Sequence, residues 1–225
     1  MLKKLLAIAA GAMVAVPAVA FPTNPDGVRY NSLDSLGCLM LRECTDEVDK
    51  VTSVAEVKAV LEDSSYDRYA EELDRLFQAL AGANVDVFLA DGDYFPARHR
   101  GIYDVNSNTF FLNKEWVWDE GHMIGVMRHE GWHAAQDCMA GTIDNTFTAV
   151  ILQDGVVTPY YQGLAERTYQ ANVVPWEQEA MYASDQPNLT AEAVEACASD
   201  KPMWEVYTPT PMTAEWLSQQ GFIGG

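Results

Sequence analysis

Positive charge is scarce in this chain: 14 Lys and Arg stand against 33 Asp and Glu in 225 residues, a formal charge of -19. A surface this acidic repels phosphate backbones and anionic lipid heads, so no nucleic-acid or membrane-surface partner is expected. Long apolar runs are absent after residue 20, so no later segment offers the roughly 20 apolar residues of a membrane-spanning helix. No internal repeat is visible and no C-x-x-C spacing occurs, which argues against a cysteine metal site. Histidine is limited to four residues, His99, His122, His129 and His133. Cysteine is limited to Cys38, Cys44, Cys138 and Cys197.

The first 20 residues have a composition of their own. Lys3 and Lys4 precede an apolar run over 5–16, and Ala18-Val19-Ala20 forms a small-x-small cleavage pattern. These three parts read as a secretory signal peptide over 1–20, with Phe21 as the mature N-terminus and a secreted or periplasmic destination. An uncleaved anchor is the rival reading, but Pro17 interrupts a stretch already short for a span. In an exported chain an even cysteine count points to disulfides. Cys38 and Cys44 are near enough to close a small loop, which leaves Cys138 to pair with Cys197. The other two pairings stay open at this point.

The remainder, 21–225, reads as one domain with an N-terminal arm over 21–50 and a C-terminal tail over 201–225. Residues 21–36 are rich in Pro, Asn, Asp and Gly and read as extended. Ser53-x-x-Glu56 is a capping-box pattern that opens a helix through about Leu61. Tyr66, Tyr69, Leu73, Leu76, Phe77 and Leu80 recur at helical spacing over 65–81, and 84–90 alternates as a strand. In GIYDVNSNTFFLN two β-prone runs, 101–105 and 109–112, flank a polar turn and predict a hairpin. Residues 119–139 are helical in pattern and apolar on most sides, as a buried helix is. Helices are also expected over 144–153, 160–172, 176–184, 190–199 and 213–219, with a loop over 201–211. Strands before the central helix and helices after it make the expected class α+β.

The polar residues of the 119–139 helix do not scatter. His122, His129, His133 and Gln136 fall at intervals of 7, 4 and 3, with Glu130 and Asp137 beside them. Burying such a stripe is costly unless something satisfies it. Residues four apart project from one helix face about 6 Å apart along the axis, so two imidazoles can share one ion at about 2.0–2.1 Å. Glu130, next to the first histidine, is placed to take a proton from a water that the metal activates.

His129-Glu130-Gly131-Trp132-His133 resembles the HExxH signature of the zincin metallopeptidases, and the 101–112 hairpin resembles the sheet edge above their cleft. The resemblance spans about 84–183. It implies a zincin-like α+β fold and a zinc ion held by His129 and His133. It also implies Glu130 as general base and a peptide or protein substrate that adds a strand to the edge. A third ligand is needed. The metzincin continuation is absent, since Gln136 and Met139 stand where Gly and His are required. Asp137 lies a turn too far along the axis. Asp144, in Gly141-Thr142-Ile143-Asp144, is similar to the aspzincin G-T-x-x-D but one residue short. Glu177-Gln178-Glu179-Ala180 is similar to the gluzincin E-x-x-A, although Met181 follows where some subfamilies have Asp. The order of preference is Glu177, then Glu179, then Asp144. Glu179 should point away from the ion into solvent or a salt bridge, because residues two apart on a helix face opposite ways. Tyr161, Tyr169 and Tyr182 are the candidate oxyanion donors, with no choice among them. His99 and His122 are expected to be structural or at the surface.

The expected function is therefore a secreted zinc metallopeptidase. The alternatives are an inactive, disulfide-stapled binding or structural protein of the same fold, and a zinc hydrolase of a non-peptide amide such as a cell-wall bond.

Overall fold

The computed structural model describes residues 32–44, 46–62, 65–141 and 147–224. The expected signal peptide lies outside them, as does Asp144.

Four strands form one sheet in the order β1-β2-β4-β3: β1 Val48–Lys50, β2 Asp86–Ala90, β3 Gly101–Asp104 and β4 Thr109–Asn113. β2 and β4 run parallel, while β1 and β3 are antiparallel to their neighbours. The hairpin β3–β4 stands as the two β-prone runs around a polar turn predict, with Gly101 opposite Leu112 and Asp104 opposite Thr109. Asn108 takes a positive φ of 49° in its turn, a conformation that asparagine tolerates. β3 is an edge strand, so one row of its backbone groups has no partner strand in the sheet.

The sheet is covered on both faces. Phe110, Leu112, Val87 and Leu89 pack into the main core with the helices, while Phe111 and Ala90 join Leu39 and Phe95 behind the sheet. Leu39 belongs to a helix, α1 Ser32–Met40. The arm is thus not extended throughout: Leu36, Leu39 and Met40 recur at helical spacing, and Leu39 gains a buried seat against the sheet. β1 likewise takes the end of the arm into the sheet.

Helix α2 Val54–Val60 opens as its sequence predicts. Ser53 Oγ accepts from the Glu56 N–H at 3.3 Å, and the Glu56 carboxylate accepts from Thr52 N at 2.6 Å. Helix α3 spans Ala70–Gly82, a turn later than the spacing suggested, and buries Leu73, Leu76, Phe77 and Leu80. A short α4, Lys114–Val117, leads into the central α5, Glu120–Met139, whose N-cap Asp119 accepts from His122 N at 2.9 Å. α5 is buried almost all round. It packs on α3, on α6–α7 (Pro159–Thr168 and Val174–Ser184) through α7, and on α8 Leu189–Cys197. The α5–α8 contact is tight: a Cβ on Gly131 would lie 2.9 Å from Thr190 Cγ2. Cys138–Cys197 fastens these same two helices, and Cys38–Cys44 closes the loop after α1. Two disulfides point to an oxidising, exported environment. Among the described residues no helix is long and apolar enough to cross a membrane.

Two further expectations fail here. Residues 147–153 are not helical. Their N–H groups are taken by tertiary partners instead: Ala149 N donates to Gln136 O at 3.0 Å, and Ile151 and Leu152 donate to Glu179. The 201–211 stretch is not all loop, since α9 Met203–Val206 forms between its prolines and α10 Pro211–Gln219 begins on the last of them.

Candidate metal centre

One helical turn separates His129 from His133 on α5, and their rings lie edge to face with centroids 5.0 Å apart. The third group comes from α7. Pro175 stands in the first turn of this helix and Glu177 follows it there. Ala180 and Ala183 are fully buried in the core, and small side chains let α7 lie close to α5. Glu177 Oε2 then sits 3.3 Å from His129 Nε2 and 3.7 Å from His133 Nε2. Ligand atoms of all three residues fall within 4.8 Å of one another. Two ligands bonded tetrahedrally at about 2.0–2.1 Å stand about 3.3 Å apart, so the spacing suits a small cation. A further observation fits the same reading. Glu177 Oε2 is buried and makes no hydrogen bond of acceptable geometry, a costly state for a carboxylate oxygen unless a cation completes it.

The electrostatics are those of a proton-loaded cluster of two imidazoles and a carboxylate. Burial alone would raise the Glu177 carboxyl, but the two imidazoles outweigh it and hold the group far below the usual carboxylate range. Burial pushes the His133 imidazolium down, while Glu177, Glu130 and Gln136 lift it further, to about 9. A metal entering here displaces protons.

Glu130 is partly buried beside the first histidine. The edge strand β3 passes directly over it: a Cβ on Gly101 would meet Val126 Cγ1 at 2.6 Å and Glu130 Cγ at 3.0 Å. Only glycine permits that approach. A cavity of about 380 Å³ opens beside the centre, bounded by His133 and Glu177. Its walls are Tyr103 and Val105 at the end of β3, Phe147 and Thr148, and Val173 and Trp176 at the start of α7.

Of the three candidate tyrosines, Tyr169 is the one whose phenol is influenced by Glu177 and Glu130. Burial and the nearby Glu177 and Glu130 carboxylates raise its phenol well above the ordinary value. Tyr161 instead donates to Asp185 at 2.7 Å and packs edge-on against Tyr182. His122 stands edge-on to Trp116 at 5.6 Å and neither it nor His99 belongs to the metal group.

Glu179 is not where the helical argument put it. It does point away from Glu177, but into the core rather than into water, and is 1% exposed. Burial pushes its carboxyl up, and hydrogen bonds from Gln136, Ile151, Leu152 and Trp132 pull it back. The sequence placed Gln136 on the polar stripe without a role. In the fold its Oε1 lies 2.8 Å from His133 Nδ1 and its Nε2 donates to Glu179 at 2.8 Å. The three-residue step from His133 to Gln136 was the available signal, since such residues are neighbours on a helix.

No protein-family model, curated protein or solved structure matches this chain.

Proposed function

We propose that this chain is an exported zinc-dependent metallopeptidase in which His129, His133 and Glu177 hold the ion and Glu130 is the general base. The observation that carries the reading is the convergence of the two Nε2 atoms on a buried, unsatisfied Glu177 oxygen. Two imidazoles and one carboxylate are a donor set that zinc takes in hydrolytic sites, with a position left open. When bound, the metal would polarise a carbonyl and acidify a water.

The protein's own part is orientation and proton transfer. The free edge of β3, beside Glu130, offers N–H and C=O groups to an extended peptide and so lays its backbone across the centre. Glu130 accepts the proton of the attacking water and hands it to the leaving amine nitrogen. The Tyr169 phenol remains protonated at neutral pH and is the donor for the oxygen that gains charge. The edge strand and the largely apolar cavity favour a peptide over a polar, non-peptide amide.

Cleavage of a mixed peptide library by the zinc-loaded protein tests this. The wild type should cut it. Glu130→Gln should keep the zinc and lose at least about 10²–10⁴-fold in rate, because the amide cannot take the proton. Equal cleavage by the variant would overturn the role of Glu130, and no cleavage by either protein would overturn the peptidase reading.

A further inference from the structure

Four N–H groups converge on the buried Glu179 carboxylate. Trp132 Nε1 and Gln136 Nε2 of α5 lie at 3.2 and 2.8 Å, and the backbone nitrogens of Ile151 and Leu152 at 3.1 and 2.6 Å. No Lys or Arg is among these partners. A buried charge satisfied only by dipoles is a poor way to gain stability, and an apolar side chain of similar size often serves as well. The bonds do, however, fix something else.

Gln136 Nε2 is committed to two acceptors, Glu179 Oε2 and the Trp176 carbonyl at 3.2 Å. Both can only accept from it, so the NH2 end of the amide must face them. The amide oxygen is then the atom at 2.8 Å from His133 Nδ1. An oxygen there accepts, so Nδ1 carries a hydrogen, and in the neutral ring it is Nε2, the nitrogen facing Glu177, that keeps the lone pair. Metal ligation through Nε2 needs that tautomer and that ring angle. The same carboxylate holds the N–H groups of Ile151 and Leu152, and Gln136 O accepts from Ala149 N at 3.0 Å. That segment carries Phe147 and Thr148, which wall the cavity.

We propose that Glu179 is a positioning residue that acts through Gln136 to set the tautomer and orientation of His133, and that it pins the segment walling the substrate cavity. The inference rests on the metal reading of His129, His133 and Glu177. It makes Glu179 a group two residues from the ligand that never touches the ion.

The test uses the full chain and zinc alone. Zinc affinity is measured by chelator competition for the wild type, Glu179→Gln, Gln136→Leu and the double variant. Circular dichroism of each metal-free protein reports the fold. In parallel, nitrogen NMR reports the His133 tautomer of the metal-free protein under alkaline conditions that leave the ring neutral. Each single variant should bind zinc about 10–100-fold more weakly. The double variant should be no weaker than the worse single, and both singles should lose the Nδ1–H tautomer. Gln136→Leu leaves the other three donors of Glu179 in place, so it decides the matter even where Glu179→Gln fails to fold. Wild-type affinity and tautomer in a folded Gln136→Leu would overturn the proposal, as would losses that simply add. If the wild type takes up no zinc, the metal reading fails, while the tautomer still tests the relay from Glu179 to His133.

Discussion

The phenol oxygen of Tyr103, on the edge strand, lies 2.8 Å from Asp137 Oδ2, one turn past His133 on α5. The same oxygen is 2.6 Å from Asn108 Oδ1. Asn108 Nδ2 donates to the carbonyls of Ala83 and Asn84, which turns its Oδ1 toward the phenol. Tyr103 has one proton for two acceptors. The phenol hydroxyl is shared, donating toward Asp137 Oδ2 and Asn108 Oδ1. Burial pushes the Asp137 carboxyl from 3.8 to about 7, with the Tyr103 bond opposing and Asp104 adding to the rise.

A raised carboxyl makes stability fall as pH rises, because the folded state holds a proton that the unfolded state has released. The contribution of Asp137 is complete below about pH 4 and is lost as pH climbs through about 7. Urea unfolding of the metal-free chain across this window should show the decline, and Asp137→Asn should flatten it. Tyr103→Phe should cost about 1–3 kcal/mol by leaving a buried carboxyl without its partner. An unchanged slope in Asp137→Asn would remove this residue from the account.

The acid limb has a different origin. Arg128, which is buried, meets Glu72 of α3 at 2.6 and 2.8 Å, and Glu72 also accepts from Asn188 N at 2.8 Å. Burial pushes the Glu72 carboxyl up, but Arg128 and Asn188 outweigh it and the net shift is downward. A depressed carboxyl stabilises the fold above its unfolded value, and the contribution is lost as pH falls through the folded one. Glu72→Gln should destabilise by about 3–5 kcal/mol at neutral pH, since it strands a buried guanidinium. Its acid unfolding should also be shallower than that of the wild type. A variant as stable as the wild type would contradict this.

The cavity beside the centre is walled by Val105, Phe147, Val173 and Trp176, with no Lys or Arg among its lining residues. It should take a bulky apolar side chain next to the scissile bond and reject charged ones. Peptides differing only at that residue should show kcat/KM differences of about 10–200-fold in favour of the apolar member. Val105→Glu should turn the preference toward lysine. Equal rates for all members would mean that the cavity does not select substrate.

The parts of this site that were legible in the sequence are those set by local spacing. The i, i+4 histidines, the small Ala180 three residues after Glu177, the Ser53 cap and the hairpin turn each follow from a few neighbouring residues. The role of Glu179 was not legible. Two of its four donors come from a segment 27–28 residues earlier, and the apolar run of that segment, Ala149-Val150-Ile151-Leu152, imitates a helix. Helical geometry correctly turned Glu179 away from Glu177. Pattern alone did not say that the other side of α7 faces a loop with free N–H groups rather than water.

Metal analysis of the purified protein tests the central claim most directly. The chain is loaded with excess zinc, dialysed, and its metal content measured beside that of Glu177→Ala and Glu179→Gln. The wild type should retain about one zinc per chain in a three-ligand site with one position open. Glu177→Ala should lose it to a modest chelator, and Glu179→Gln should hold it more weakly than the wild type but more firmly than Glu177→Ala. A wild-type protein that retains no zinc, or a Glu177→Ala variant that retains as much as the wild type, would contradict the account.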